Sequence, residues 1–102
     1  MVRIIIEHKA EDVDSLISAL WRLRTEAMKQ RGYITGETLV SIEDPSSVLV
    51  ISTWGKIEDW DAWNTSETRT KLTKPINDVL LEPYEVRKFH YYLAKEKRVW
   101  SF

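Results

Sequence analysis

Tryptophan is concentrated in one stretch of this sequence, WGKIEDWDAWNTS at residues 54–66. It contains Trp54, Trp60 and Trp63, which are three of the five tryptophans in the chain. An indole offers a flat apolar surface for stacking on a planar ligand and one N–H donor that can orient it. Asn64 adds an amide that can hydrogen-bond a phenol or quinone oxygen. These four residues are the candidate substrate-binding residues, and core packing is the ordinary structural alternative for each tryptophan.

Glu7 and His8 are the candidate acid–base residues. A carboxylate carried into a closed apolar pocket has a raised pKa and can accept a phenolic proton. A histidine titrates in the useful range without such a shift. Because successive strand residues point to opposite faces of a sheet, we expect one of the two to line a pocket and the other to face a rim or a partner. The structural alternative is a solvent-facing carboxylate or a packed histidine.

Composition excludes several other kinds of chemistry. The chain of 102 residues has no cysteine, so disulfides, thiolate metal sites and a cysteine nucleophile are absent. Neither His8 nor His90 has acidic or histidine neighbours at metal-ligand spacing, so we predict no metal site. A net charge of −1, with 15 basic and 16 acidic residues, provides no field to attract nucleic acid or an anionic membrane. We therefore expect one soluble cytoplasmic domain.

The pattern of apolar residues predicts the order β-α-β-β-α-β, a ferredoxin-like α+β fold with a four-stranded antiparallel sheet. This domain is expected to occupy residues 1–92, followed by a tail over 93–102. Tryptophan-rich residues after Gly55 predict a short helix, and Thr65 or Ser66 is expected to cap a further helical segment that Pro75 interrupts. The other predicted elements are strands Val2–His8, Tyr33–Ile42, Val48–Trp54 and Tyr84–Tyr92, and a helix over Glu11–Arg31.

Two of the predicted strands do not alternate between apolar and polar residues. The runs IIIEH and VLVIS make both sheet faces apolar, whereas helices cover only one. We therefore predict a homodimer that packs sheet against sheet, with Val50 or Ile51 at the interface. The tail carries apolar residues beyond a charged link, and we expect it to cross this interface with Trp100 as its anchor.

Residues Arg31–Glu67 carry a family resemblance. The strand GYITGETL, and the strand that leads into the block from Trp54 to Trp63 followed by Ser66, resemble the antibiotic biosynthesis monooxygenase (ABM) family of the dimeric α+β barrel superfamily. The resemblance implies a homodimer with a pocket in each protomer between sheet and helices. It also implies a cofactor-independent monooxygenase that acts on a small aromatic or quinol-like compound.

Two alternatives stay open at this point. One is a non-catalytic binding or sensing module on the same fold. The other is a heme-binding or heme-degrading relative, a branch that uses an asparagine on the first strand, a tryptophan on the second helix and a histidine ten residues later. In this sequence those positions are occupied by Glu7, Trp63 and Thr73, so only the tryptophan is kept and heme degradation is disfavoured.

Overall fold

A computed structural model describes residues 1–92, which form one four-stranded sheet and three helices. The sheet order is β2-β3-β1-β4, and every neighbouring pair is antiparallel. The predicted ferredoxin-like α+β fold is confirmed, while the predicted tail arm lies outside the described residues. The elements are β1 (Val2–Lys9), α1 (Val13–Ala27), β2 (Tyr33–Val40), β3 (Ser47–Trp54), α2 (Ile57–Asn64), α3 (Glu67–Val79) and β4 (Glu85–His90).

Helix α1 is shorter than the apolar pattern predicts. Its start is fixed by Asp12, whose carboxylate accepts a hydrogen bond from the backbone N–H of Ser15 at 3.1 Å. The helix ends at Ala27, because Met28 is exposed and no further apolar face remains to be buried. The chain then turns through Gly32, whose φ of 85° is a conformation that glycine adopts without steric cost.

The second helical region consists of two helices, α2 and α3, with a capping residue between them. Ser66 Oγ accepts a hydrogen bond from the backbone N–H of Arg69 at 3.1 Å, which starts α3 as the sequence predicts. Pro75, by contrast, does not interrupt α3, which continues to Val79. Pro75 is exposed, so the carbonyl that loses its helical N–H partner can face water, while buried Ile76 holds the helix against the core.

The two faces of the sheet differ in what covers them. On β1, Ile4 and Ile6 point toward the helices and are buried, whereas Ile5 and Glu7 point away. Because Ile5 lies opposite Ile51 on β3, both residues belong to this second face. We call it the open face, since no helix of the described chain packs on it. The non-alternating strand sequences therefore place aliphatic side chains on both faces.

The core consists of two clusters under the helices. The one at the tryptophan end, which encloses the site described below, contains Ile4, Ile6, Ala27, Trp54, Trp60 and Trp63. The other contains Ala10, Leu16, Ala19, Leu20, Val48 and Ile76. Within residues 1–92, no helix is both long and apolar enough to cross a membrane.

Candidate functional site

A cavity of about 60 Å³ lies between the helix-covered face of the sheet and the helices. This volume holds several water molecules but is smaller than the 300–1,000 Å³ usual for drug-sized ligands, so an aromatic ligand must displace side chains to enter. Its lining includes Leu20, Leu23, Arg24, Ala27, Tyr33, Gly36, Glu37, Val50, Ser52, Trp54, Trp60, Trp63 and Arg69.

Three tryptophans form the aromatic wall of this cavity, as the sequence predicts for a pocket. Trp54 ends β3, while Trp60 and Trp63 come from α2, and all three are buried. The rings of Trp54 and Trp60 meet edge to face, with centroids 5.8 Å apart, and Tyr33 packs on Trp54 in the same manner at 5.4 Å. The wall is therefore held in place by aromatic contacts between three different elements.

The indole N–H groups of the wall are used differently. Trp54 donates its Nε1 hydrogen to Ser52 Oγ at 3.0 Å, which fixes the ring within the sheet. Trp60 Nε1 is buried and has no acceptor among residues 1–92. A buried donor without a partner costs about 1–3 kcal/mol, so Trp60 gains if a ligand oxygen accepts from it.

Arg69 is a buried cation beside Trp60. Its side chain lines the cavity and the residue is only 5% exposed. Its Nη1 makes a long hydrogen bond of 3.4 Å to the hydroxyl of Tyr84, and its guanidinium carbon lies 5.2 Å from the centre of the Trp60 ring. Its Nε has no partner in the described chain, and no carboxylate there forms an ion pair with it.

A second guanidinium, that of Arg24, closes the cavity on the side of α1. Arg24 donates from Nη2 to the backbone carbonyl of Gly36 and lies over the ring of Trp21 at 5.5 Å. Glu37 also borders the cavity, but its carboxylate is directed to the open face, where it pairs with Arg3 at 3.2 Å. The formal charges that face the cavity are therefore positive.

The two candidate bases lie on opposite faces of the sheet. Glu7 is exposed on the open face and accepts a hydrogen bond from Ser47 Oγ at 2.6 Å. His8 points toward the helices and is 3% exposed, with its ring 5.3 Å from that of Tyr84. Neither residue lines the cavity.

Burial determines the charge state of His8. Loss of solvent lowers its pKa to about 4, and the positive charge of Arg69 acts in the same direction, whereas the backbone at Val48 acts against them. His8 is therefore neutral at pH 7. Its Nδ1 is buried and has no hydrogen-bond partner in the described part of the chain.

Asn64 lies outside the cavity, while two arginines that the sequence analysis did not select lie within its wall. Asn64 is the last residue of α2 and is half-buried. For Arg69 a signal does exist in the sequence. Arg69, Thr73 and Ile76 follow helical spacing and are the buried residues of α3, so an arginine occupies an inner-face position. Arg24 occupies a comparable position at the edge of the inner face of α1.

No group of three or more metal-ligating side chains occurs within residues 1–92. The polar groups that line the cavity include guanidinium and indole N–H donors and the hydroxyl residues Tyr33, Thr38 and Ser52. The guanidinium and indole N–H groups bind acceptors and not metal ions. They can therefore hydrogen-bond an organic ligand that presents oxygen acceptors.

Comparison with known proteins supports the fold over nearly the whole described chain. The family model for antibiotic biosynthesis monooxygenases matches residues 1–74. None of the curated proteins matches the sequence significantly. Among solved structures, SnoaB from Streptomyces nogalater, a cofactor-independent oxygenase, has a TM-score of 0.83 at 11% identity, with 94% of this chain and 97% of SnoaB covered.

Two further structures show the same architecture. A conserved protein from Methanosarcina mazei Go1 has a TM-score of 0.82 at 16% identity, with 89% of this chain and 92% of the other covered. Rv0793 from Mycobacterium tuberculosis has a TM-score of 0.79 at 12% identity, with 93% and 98% covered. At these identities the likeness is one of fold.

Proposed function

The chain belongs to the antibiotic biosynthesis monooxygenase family, and from this premise we propose that it is a cofactor-independent monooxygenase acting on a small aromatic or quinol-like compound. The observation that carries the proposal is the aromatic wall of Trp54, Trp60 and Trp63 around a cavity between sheet and helices. Flat indoles stack on flat substrates. The similarity to SnoaB adds a precedent for this chemistry on this fold.

The proposed reaction uses the electrons of the substrate to reduce dioxygen. A phenol or quinol ring loses a proton, and the electron-rich anion is oxidised by O2 while a new carbon–oxygen bond forms. One oxygen atom stays on the ring as a quinone carbonyl, and the other leaves as water with the two hydrogens that the ring loses. Phenol and O2 thus yield quinone and water without any further reductant.

The role of the protein is to hold and desolvate the reacting ring. The tryptophan wall excludes water, so that electrostatic contacts to the anion are stronger than in solution. Trp60 Nε1, which has no acceptor within residues 1–92, is available for a substrate oxygen. The positive charges of Arg24 and Arg69 favour the ionised substrate over the neutral one.

Three groups are candidates for accepting the substrate proton. His8 is neutral at pH 7 and therefore able to accept a proton, but its low pKa makes it a weak base. Glu7 is the second acceptor, although it lies on the open face, across the sheet from the cavity. Water at the cavity mouth is the third acceptor. Glu7→Gln and His8→Phe separate these routes: loss of turnover in one variant identifies the base, and retention in both identifies water.

We further propose that the protein is a homodimer formed through the open face. This face carries Ile5, Leu49 and Ile51, which the single chain leaves partly uncovered, and exposed Leu39 and Phe89 flank them. Burying such aliphatic surface stabilises by about 25 cal/mol per Å². A second copy supplies a surface of the same shape and chemistry, which agrees with the family resemblance.

Oxygen uptake with a panel of hydroquinones and dihydroxynaphthalenes tests the activity. With ¹⁸O2, a monooxygenase places one labelled atom in each quinone product and one in water. A two-electron oxidase forms labelled hydrogen peroxide and leaves the product unlabelled, which would contradict the proposal. Trp63→Leu is expected to abolish turnover, whereas Tyr92→Leu, at a position that is 84% exposed and outside the cavity, serves as the control.

A non-catalytic binding module is the second candidate function. The observation that favours it is that neither Glu7 nor His8 lines the cavity. Tight binding of an aromatic compound without enzyme-dependent oxygen uptake would support this function. A hemin titration tests the heme-binding alternative, for which the positive result is a Soret band that either His8→Phe or His90→Phe abolishes.

A further inference from the structure

We infer that Arg69 and Trp60 form an anion-binding subsite inside the cavity, which selects aromatic ligands that carry an anionic oxygen. The oxygen belongs to a carboxylate or to a phenolate, since both present the same acceptor to a guanidinium. The inference rests on the proposed function in one respect, namely that the ligand of this cavity is aromatic. It adds a selection by charge that neither the family nor the related structures assign to this chain.

The buried charge of Arg69 has no anionic partner in the described chain. Arg69 is 5% exposed, and within residues 1–92 its guanidinium has the Tyr84 hydroxyl and the Trp60 ring as partners but no carboxylate. Arginine stays protonated in proteins, so burial cannot be relieved by loss of the proton. A buried cation without an anion is strongly unfavourable. An anionic ligand supplies the missing partner and is bound more tightly for that reason.

Two hydrogen-bond donors at this subsite lack acceptors. Arg69 Nε and Trp60 Nε1 are both buried, and neither has an acceptor in the described chain. Both are donors that can never accept, and both residues line the same cavity. A ligand group made only of acceptors satisfies both, whereas an amide or a neutral hydroxyl also brings hydrogens that these donors cannot accommodate. Carboxylate and phenolate oxygens meet this requirement.

The guanidinium of Arg69 is held in a fixed orientation. Nη1 of Arg69 is directed to the Tyr84 hydroxyl, and the guanidinium carbon of Arg69 lies 5.2 Å from the centre of the Trp60 ring. Contacts with two other elements therefore fix the guanidinium. The Nε side, which has no partner in residues 1–92, belongs to the edge through which arginine binds carboxylates with two parallel hydrogen bonds. Because the guanidinium is already fixed in the free protein, the Arg69 side chain loses little entropy when it binds an anion.

The charges around Arg69 are mainly positive. Arg69 occupies the first turn of α3, where the helix dipole is positive and a cation is disfavoured. Arg24 adds a second positive charge at the cavity, and the Glu37 carboxylate is engaged by Arg3 on the open face. No carboxylate of the described chain competes with a ligand for Arg69. The local field therefore attracts anions into the cavity.

For a phenolic ligand the subsite has a chemical consequence. A positive charge beside the oxygen stabilises the phenolate and lowers the pKa of the bound phenol. The phenol O–H bond breaks, its electron pair stays on oxygen beside Arg69, and the proton passes to one of the three acceptors named above. The subsite thus promotes the ionisation that precedes oxygen reduction without a strong base in the cavity.

The test compares two probes that differ in charge at one group, 4-hydroxybenzoate and 4-hydroxybenzamide. Binding is measured without oxygen by calorimetry and by quenching of tryptophan fluorescence. The wild type is expected to bind the benzoate roughly tenfold to a hundredfold more tightly, as charge-assisted hydrogen bonds are stronger than neutral ones. Arg69→Met should remove this preference, and Arg69→Lys should retain part of it. Arg22→Met, at an exposed position of α1, should leave it unchanged.

A second probe distinguishes phenolate from carboxylate. 4-Nitrophenol absorbs differently in its ionised form, so its apparent pKa when bound is read directly from a spectrum. A lowered apparent pKa in the wild type and not in Arg69→Met supports a phenolate subsite. If the wild type prefers 4-hydroxybenzoate but does not lower the apparent pKa of bound 4-nitrophenol, the result supports a carboxylate as the anionic group of the ligand.

Three results would overturn the inference: equal affinity for benzoate and benzamide, a preference that persists in Arg69→Met, or binding of none of the probes. Replacing an unpaired buried cation by an apolar residue should also raise the thermal stability of Arg69→Met, whereas an arginine needed for folding should lower it. If Arg69→Met does not fold, the affinities of the wild type for 4-hydroxybenzoate and 4-hydroxybenzamide still test the inference. Absence of oxygen uptake with quinols refutes the proposed activity but leaves the charge preference intact.

Discussion

The guanidinium carbon of Arg69 lies 5.2 Å from the centre of the Trp60 ring. The two residues come from α3 and α2, and both are buried. Such a cation–π contact contributes about 2 kcal/mol when desolvated, which offsets part of the cost of burying Arg69. Both residues also line the cavity, so we expect stability and binding to depend on the same pair.

Trp60→Phe should destabilise the fold by about 1–3 kcal/mol, because a buried ring becomes smaller and its contact with Arg69 weakens. Denaturant unfolding measures the change. Trp21→Phe is the matched control, since Trp21 is 58% exposed and surface substitutions change stability by no more than about 0.5 kcal/mol. Equal effects of the two substitutions would show that Trp60 does not belong to the core.

Stability should fall as the pH decreases from 7 to 4. The pKa of His8 is about 4 in the folded protein and 6.5 when unfolded, so the unfolded chain binds the proton first. The difference of about two and a half pKa units corresponds to roughly 3 kcal/mol of stability lost by pH 4. Denaturant unfolding at several pH values measures this slope.

His8→Phe should flatten the dependence on pH between 4 and 7, because it removes the buried titrating group. His90→Phe should leave it unchanged, since His90 is exposed on β4. Some acid sensitivity remains in both variants, because hydrogen bonds to Ser15 and Ser46 lower the pKa values of Asp12 and Asp44 and protonation of these carboxylates removes those contacts. An unchanged slope in His8→Phe would contradict the assignment.

Gly32→Ala should destabilise the fold by about 1–3 kcal/mol, because φ at Gly32 is 85° and an added methyl group meets the Asp59 carboxylate. Gly55→Ala is the control, as the nearest atom to its methyl group would lie at 3.7 Å. The Asp59 Cβ atom would itself lie 2.5 Å from the new methyl group, so Asp59→Gly is the substitution that removes the clash. Relative to Asp59→Gly alone, adding Gly32→Ala should then cost only the conformational part of the loss. No further loss in that background would mean that φ at Gly32 is not strained by alanine.

Ile51→Arg should convert the proposed dimer to a folded monomer, since Ile51 lies on the open face opposite Ile5. Val50→Arg should instead unfold the chain, because Val50 packs under the helices, where an arginine side chain cannot remain hydrated. Light scattering after size exclusion, together with circular dichroism, separates the two outcomes. Ile42→Arg is the control, at a turn residue that is 94% exposed. A wild-type mass of one chain, 12.0 kDa, would contradict the dimer.

Local sequence was sufficient for the order of elements and for the aromatic wall. Apolar periodicity predicts each strand and helix to within a few residues, and the spacing of Trp60 and Trp63 places both on the inner face of a short helix. Asp12 and Ser66 are recognisable as helix caps because a cap uses contacts within four residues. The exceptions, the early end of α1 and the continuation of α3 past Pro75, depend on what the rest of the chain buries.

Which residues meet at the cavity was decided only by the tertiary structure. Strand alternation requires that Glu7 and His8 face opposite sides, but only the packing of the helices shows that His8 is the buried one. Arg69 and Trp60 lie on two different helices, and local sequence does not determine how these helices are oriented relative to each other. Burial, and with it the low pKa of His8 and the unpaired charge of Arg69, is a property of the assembled layers, because desolvation depends on neighbours that are distant in sequence.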